Sequence, residues 1–216
     1  MSRSTLVRVA AAVEVALFGA SILTFIWWIQ PRDRPALEIA FYVGMLAFAI
    51  GSPLAHGDRA ARLGIRLDTL GACARRVLVP TVVAMAGFAA AGRLTGHWAA
   101  TDWSHAPMGI LRYSGWALLQ QYALQDVVLL RLRDAGMTRR APLAAAVLFS
   151  LMHLPNAALM LLTFAGGLVW CRAFERAPNL LPLAISHALT ALAAAEWLPA
   201  ALIHNLRVGP GYFRRP

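Results

Sequence analysis

Seven apolar runs, parted by short loops of which most bear arginine, dictate what this 216-residue chain can become. A helix that crosses the hydrocarbon of a bilayer needs about 20 mostly apolar residues, and the segment from Val7 to Ile29 meets that with only Arg8, at its very start, and Glu14 against it. The runs that follow are Ala36 to Leu54, Val77 to Gly92, Gly109 to Leu130, Pro142 to His153, Ala157 to Cys171 and Leu180 to Ala195. Composition agrees, because 59% of the residues are apolar and 14% charged, where a soluble domain carries about 25% charged. The expected fold is all-α, a polytopic membrane bundle of seven to eight transmembrane helices, in a multi-pass membrane protein.

The first run is too long for the apolar stretch of a cleaved signal peptide and ends in Trp27-Trp28-Ile29-Gln30 before a polar turn, so it reads as an uncleaved span with an aromatic belt. The last stretch, Trp197 to Ile203, is short for a crossing and leaves the count between seven and eight. Arginine bias orients the chain. With Arg3 and Arg8 in the cytoplasm, the inside loops hold Arg59, Arg62, Arg66, Arg75 and Arg76, then Arg131, Arg133, Arg139 and Arg140, then Arg172 and Arg176. The outside loops hold Arg32, Arg34 and Arg93. The loop from Arg93 to Met108 is therefore expected outside. The tail arginines Arg207, Arg214 and Arg215 favour an eighth crossing and a cytoplasmic C-terminus. Three sections follow: residues 1–76, two spans and a basic loop; 77–195, the remaining five apolar runs; and 196–216, a short apolar segment and basic tail. Within the first, residues 56–76 read equally as a solvated connector and as a helix lying on the anionic inner leaflet.

The formal charge of +10 comes from 20 arginines and no lysine against 10 acids. Since most of those arginines sit between or beside the apolar runs, the surplus sets topology and implies no nucleic-acid partner. Two cysteines, Cys73 and Cys171, lie far apart with no Cys or His at metal spacing beside them, and read as unpaired thiols.

Polar side chains inside the spans are where function is sought, because they are costly in lipid and face the bundle interior or a wet cavity. The fourth span carries Gln120, Gln121, Gln125 and Asp126, the fifth His153 with Phe149 one turn before it, and the seventh Ser186-His187. Glu14 and Glu38 stand alone. Taken singly, glutamines are interhelical glue worth about 0.6 kcal/mol per hydrogen bond, and a lone histidine is as often a structural bridge. Two histidines and a glutamine pair on three different spans, however, form the kind of set that a helix bundle converges on one cavity.

The order of these residues resembles the CAAX protease and bacteriocin-processing family, which includes the type II prenyl-protein proteases. The likeness runs over roughly residues 77–195. Phe149-Ser-Leu-Met-His153 matches that family's Phe-x-x-x-His, and Ser186-His187 its later histidine, with Ala191 where Asn or Asp often stands. Gln120-Gln121-Tyr-Ala-Leu-Gln125 holds the place of Glu-Glu-x-x-x-Arg, with glutamine at all three positions. Pro155-Asn156, Gly166-Gly167 and Pro178-Asn179 are also similar to the family.

The resemblance implies an intramembrane endopeptidase acting on a membrane-bound protein or peptide, with Gln120 at the base position, Gln121 at the second acid position, and His153 and His187 at the histidine positions. Glutamine cannot serve as a base, although its carbonyl orients a water and its NH₂ donates to an oxyanion. Base duty then falls to His153 or His187, with Gln125 at the place of the arginine that would set the charge of a glutamate at 120. The alternative is a non-catalytic, chaperone-like binding protein on the same scaffold. A transporter finds no support in paired inverted repeats. No cofactor is implied; a metal would have only His153 and His187, short of the three protein ligands of a catalytic zinc.

Overall fold

The computed structural model describes residues 2–98 and 106–213, and every regular element in that range is helical. Helix α1 (Arg3–Thr24) runs on through a π-helical turn, Phe25–Ile29. Proline opens α2 (Pro35–His56) at its first turn, where its missing N–H costs nothing, and Gly57 closes it at φ +67°. Helix α3 (Leu70–Leu94) follows a non-helical connector. The fourth apolar run forms one rod in three pieces: α4 (Ala106–Tyr122), a π-helical stretch Ala123–Leu129, and α5 (Leu130–Asp134). Then come α6 (Ala141–Leu151), α7 (Ala157–Arg176), α8 (Leu180–Trp197) and the single turn α9 (Ala200–Ile203). The two Pro-Asn pairs of the sequence are helix starts: Asn156 Oδ1 accepts from Leu159 N at 3.1 Å, and Asn179 Oδ1 from Leu181 N at 3.2 Å.

Among the described residues, five helices, α1 with its π-helical extension, α2, α3, α7 and α8, are long and apolar enough to cross a membrane, and the α4–α5 rod and α6 supply the other two apolar runs. Large apolar side chains line the outside of the bundle, among them Val43 and Leu46 on α2 and Val79 and Val83 on α3. Contiguous exposure on this scale fits a lipid-facing surface. The protein is a multi-pass membrane helix bundle. Its core gathers Val15 and Phe18 of α1, Leu124 and Leu129 of the π-helical stretch, Ala145 of α6, Phe174 of α7 and Leu183 of α8.

One end of the bundle is tied by ions. Arg131 is fully buried and pairs with Asp58 and, at 2.5 Å, with Asp134; its Nε lies 3.7 Å from Glu14. Glu14, isolated in the sequence, accepts from Ser52 at 2.6 Å and meets His56 at 2.9 Å. Arg62 joins Asp58 to Asp134. Partial burial pulls the Arg62 pKa down, and the hydrogen bond and charge of Asp134, with the charge of Asp58, more than offset it, so the value ends above that of a free arginine. Two arginines and three carboxylates thus clamp α1, α2, the connector and α5 together.

The connector is no surface helix. Residues 58–69 turn back on the start of α8: Leu180 N donates to Gly64 O at 3.1 Å, Asn179 Nδ2 to Arg66 O at 2.5 Å, and Thr69 Oγ1 to Pro178 O at 2.6 Å. Gly64, at φ +67°, is required there, since a Cβ would stand 2.7 Å from the Phe174 ring and 3.0 Å from Asn179 N.

Of the seven or eight crossings expected, the eighth has no helix of crossing length among the described residues, because α9 has four residues and the chain then folds back over the break between α6 and α7. Asn156 Nδ2 donates to Ile203 O at 2.7 Å and Arg207 O at 3.1 Å, and Gly209 N to Leu154 O at 2.8 Å. The reason is polar satisfaction: α6, with 11 residues, is about 16 Å long against a hydrocarbon thickness of about 30 Å. Backbone exposed by a helix break at such depth must be covered by protein. Gly209 also packs on Ile26, at the end of the first helix remote from its start. Residues 209–213 therefore lie at the opposite end of α1 from its start. Arg214 and Arg215, and most of the loop from Arg93 to Met108, lie outside the described residues.

Reporters fused to the two termini should accordingly read opposite sides of the membrane; the same side for both would contradict the folded-back tail. A second expectation concerns the ion cluster. Arg131→Leu should cost about 3–5 kcal/mol, because it strands buried carboxylates, whereas Arg133→Ala, which removes an exposed pair with Glu175, should cost under about 1 kcal/mol. Chemical denaturation in detergent compares them, and equal losses would refute the cluster's weight.

Candidate functional site

A cavity of about 510 Å³ opens between α3, α4, α7 and α8, with Leu206 and Val208 of the folded-back tail on its wall. Its lining is mostly apolar, and its polar end holds Gln120, His153, His187, Thr81 and Ser186. Three of the four residues singled out from the sequence, Gln120, His153 and His187, therefore face one space. Phe149 stands between the histidines, its ring centroid 4.9 Å from that of His153 and 6.0 Å from that of His187, edge-on to both.

Gln121 takes no part in the cavity lining. It is buried behind the site, with Nε2 3.4 Å from His187 Nδ1 and Oε1 accepting from Gln125 Nε2 at 3.0 Å. The family resemblance implies Gln125 beside position 120, as the motif arginine to its glutamate. The structure assigns it to 121 instead, one turn away on the same face of the rod. Gln120 enters the cavity without that support. Asp126, next in the chain, is fully buried outside the cavity lining, and both of its oxygens lack a hydrogen-bond partner; it lies within electrostatic reach of Asp58, Arg131 and Arg62, on the ion-cluster side of the rod.

The two imidazoles are held differently. Nδ1 of His153 is 2.7 Å from the carbonyl of Phe149, and a carbonyl only accepts, so Nδ1 carries the proton and Nε2 presents a lone pair. At His187 the amide NH₂ of Gln121 faces Nδ1, since the Gln121 oxygen is already engaged by Gln125; Nδ1 accepts, and Nε2 carries the proton. The polar end of the cavity thus offers one nitrogen that accepts and one that donates, with the Gln120 amide beside them.

Sequence reasoning missed Trp170. Its indole stacks on His187 at 4.5 Å between centroids and 27° between planes, and its Nε1 donates to Ser186 Oγ at 3.0 Å. The signal lay in Gly166, one helical turn earlier: a Cβ there would be 2.8 Å from Trp170 Cη2, so the glycine leaves room for the ring. Cys73 and Cys171 are both buried and free. Among the described residues no three His, Cys, Asp or Glu side chains come together in a way that would hold a metal ion.

Asn156 is the one residue that both caps α7 and ties down the tail bearing Leu206 and Val208. Asn156→Ala should lower stability by about 1–2 kcal/mol from the lost cap, and it should make residues 198–213 cleavable by added protease in detergent; a tail as resistant as in the wild type would rule out that tether.

A family model described as "Rce1-like: Type II CAAX prenyl endopeptidase Rce1-like" matches residues 117–193. The match begins just before Gln120 and ends just after His187, so it holds the whole polar end of the cavity contributed by α4, α6, α7 and α8. No curated protein and no solved structure matches the chain.

Proposed function

We propose, from the match of residues 117–193 to the Rce1-like type II CAAX prenyl endopeptidase family model, that this chain is an intramembrane endopeptidase in which a histidine replaces the glutamate base. Its substrate is a membrane-embedded protein or peptide that reaches the cavity from the bilayer. The observation that carries this reading is the opposed pair of imidazoles on one cavity, His153 with a free lone pair and His187 with a free N–H.

The roles follow from what each group can do. The Gln120 carbonyl aligns a water, and His153 Nε2 takes its proton as the oxygen attacks the scissile carbonyl carbon. The carbonyl oxygen becomes an oxyanion, toward which His187 Nε2–H donates. When the C–N bond breaks, the imidazolium of His153 returns the proton to the leaving nitrogen, which leaves an acid and an amine with the water consumed. Gln121 and Gln125 touch no substrate in this scheme; they hold His187 in its donor form. The N-terminus is placed in the cytoplasm, with the arginine-rich connector and the ion cluster on that side.

The test is cleavage of a membrane-anchored peptide library by purified protein in bilayers. His153→Ala should remove turnover by about 10²–10⁴-fold, and Gln120→Ala by about 10²–10³-fold, while Gln120→Glu should restore a conventional base. Because Gln125 supports position 121, the fuller restoration is Gln120→Glu and Gln121→Glu together with Gln125→Arg. Turnover absent from the wild type and regained by that triple variant would mark a retired protease, the non-catalytic alternative; turnover that survives loss of both histidines would refute the histidine mechanism.

A further inference from the structure

Beyond the hydrogen bond from Gln121, His187 is held on its face, and the hold originates outside the matched domain. Thr81 lies on α3. Its hydroxyl donates to Val77 O at 2.7 Å, one turn back on its own helix. With that proton spent, the 2.6 Å contact between Thr81 Oγ1 and Ser186 Oγ has Ser186 as donor and Thr81 as acceptor. Ser186 Oγ in turn accepts from Trp170 Nε1 at 3.0 Å, and the indole lies flat against His187. All four side chains are buried.

The direction of this chain is fixed at both ends, because an indole N–H only donates and a backbone carbonyl only accepts. Ser186 has no proton left to give to a histidine, which removes it as a nucleophile and leaves it as a connector. An indole has two faces and turns about its χ angles, so stacking alone does not set its plane; a hydrogen bond from its one N–H does. Gly166 completes the seat, since a methyl at that position would meet the ring at 2.8 Å.

We infer that Thr81 is a positioning residue for this site: acting through Ser186 and Trp170, it sets the plane of the His187 imidazole and hence the direction in which Nε2–H points into the cavity. The assignment of a task to that N–H rests on the function proposed above, but the positioning itself does not. It also gives α3 a part in the site, although only residues 117–193 match the family.

The experiment reads ring geometry directly, by NMR of protein with isotope-labelled histidine in detergent micelles. The His187 Cε1–H resonance, identified by its loss in His187→Gln, should be displaced upfield by the indole ring current, and Trp170→Leu should return it to the position of an unstacked imidazole. Thr81→Val, which keeps the shape and removes the hydroxyl, should move the resonance most of the way to that position, as should Gly166→Ala. Thr81→Ser should leave it where the wild type has it, and the His153 resonance should stay put in every variant as the control for fold. If Thr81→Val does not fold, Ser186→Ala breaks the same chain one link further on and reads the same shift. A His187 resonance at its wild-type position in Thr81→Val, or in Ser186→Ala where that stands in, would overturn the inference. Turnover separates the two claims: a shifted resonance with unchanged kcat would refute the donor role of His187 while leaving the positioning intact, whereas kcat lowered at constant KM supports both.

Discussion

A buried arginine cannot stand alone, and Arg131 is fully buried. Taking a guanidinium out of water is costly unless carboxylates and hydrogen bonds replace the lost hydration, so Asp58 and Asp134 must be where they are, with Glu14 nearby. That requirement carries through the bundle. Asp58 lies just past α2 and Glu14 in the middle of α1, so satisfying Arg131 fixes the N-terminal hairpin against the end of the rod. The same rod carries Gln120, Gln121 and Gln125 three to two turns earlier, and its rotation about its own axis is thereby set. Core contacts from Val15 and Phe18 onto the π-helical stretch reinforce that register.

Charge and neutrality are divided along this rod. The ion cluster gathers the charges at one end, whereas the described lining of the cavity is made of amides, imidazoles, hydroxyls and apolar groups. The glutamine pair shows how the division is kept. Where a carboxylate and an arginine would face each other one turn apart, Gln121 and Gln125 make a neutral hydrogen bond, which needs no burial of net charge and passes a defined polarity on to His187. A single glutamate at 121 would disturb this arrangement more than one at 120, which faces the open cavity. The opposite settings of the two imidazoles then follow from ordinary neighbours, a backbone carbonyl at one and an amide NH₂ at the other.

Much of this was legible in the residues. The seven runs were plain because apolar length is the requirement itself, and the convergence of Gln120, His153 and His187 followed from the cost of leaving polar groups in lipid. What stayed hidden depended on partners far along the chain. Glu14 looked isolated because Ser52, His56 and Arg131 meet it only after α1, α2 and α5 pack. Motif order sets Gln125 beside position 120, while the turn of the helix brings it to Gln121. The tail's apolarity and arginines leave open whether it crosses, and its place answers a demand no local pattern expresses: covering the backbone at Leu154 and Asn156. Trp170 counted as one more apolar residue of its span until Gly166 and Ser186 were seen beside it.

We propose that the site works through two histidines fixed in opposite tautomers. Ring ¹⁵N spectra of the protein in lipid bilayers near neutral pH test it most directly, since protonated and bare imidazole nitrogens resonate far apart and each ring is assigned by its own substitution. The account requires a proton on Nδ1 and a bare Nε2 at His153, with a bare Nδ1 and a proton on Nε2 at His187. Two rings in the same tautomer would contradict it, because the cavity would then present two acceptors or two donors and no acid–base pair.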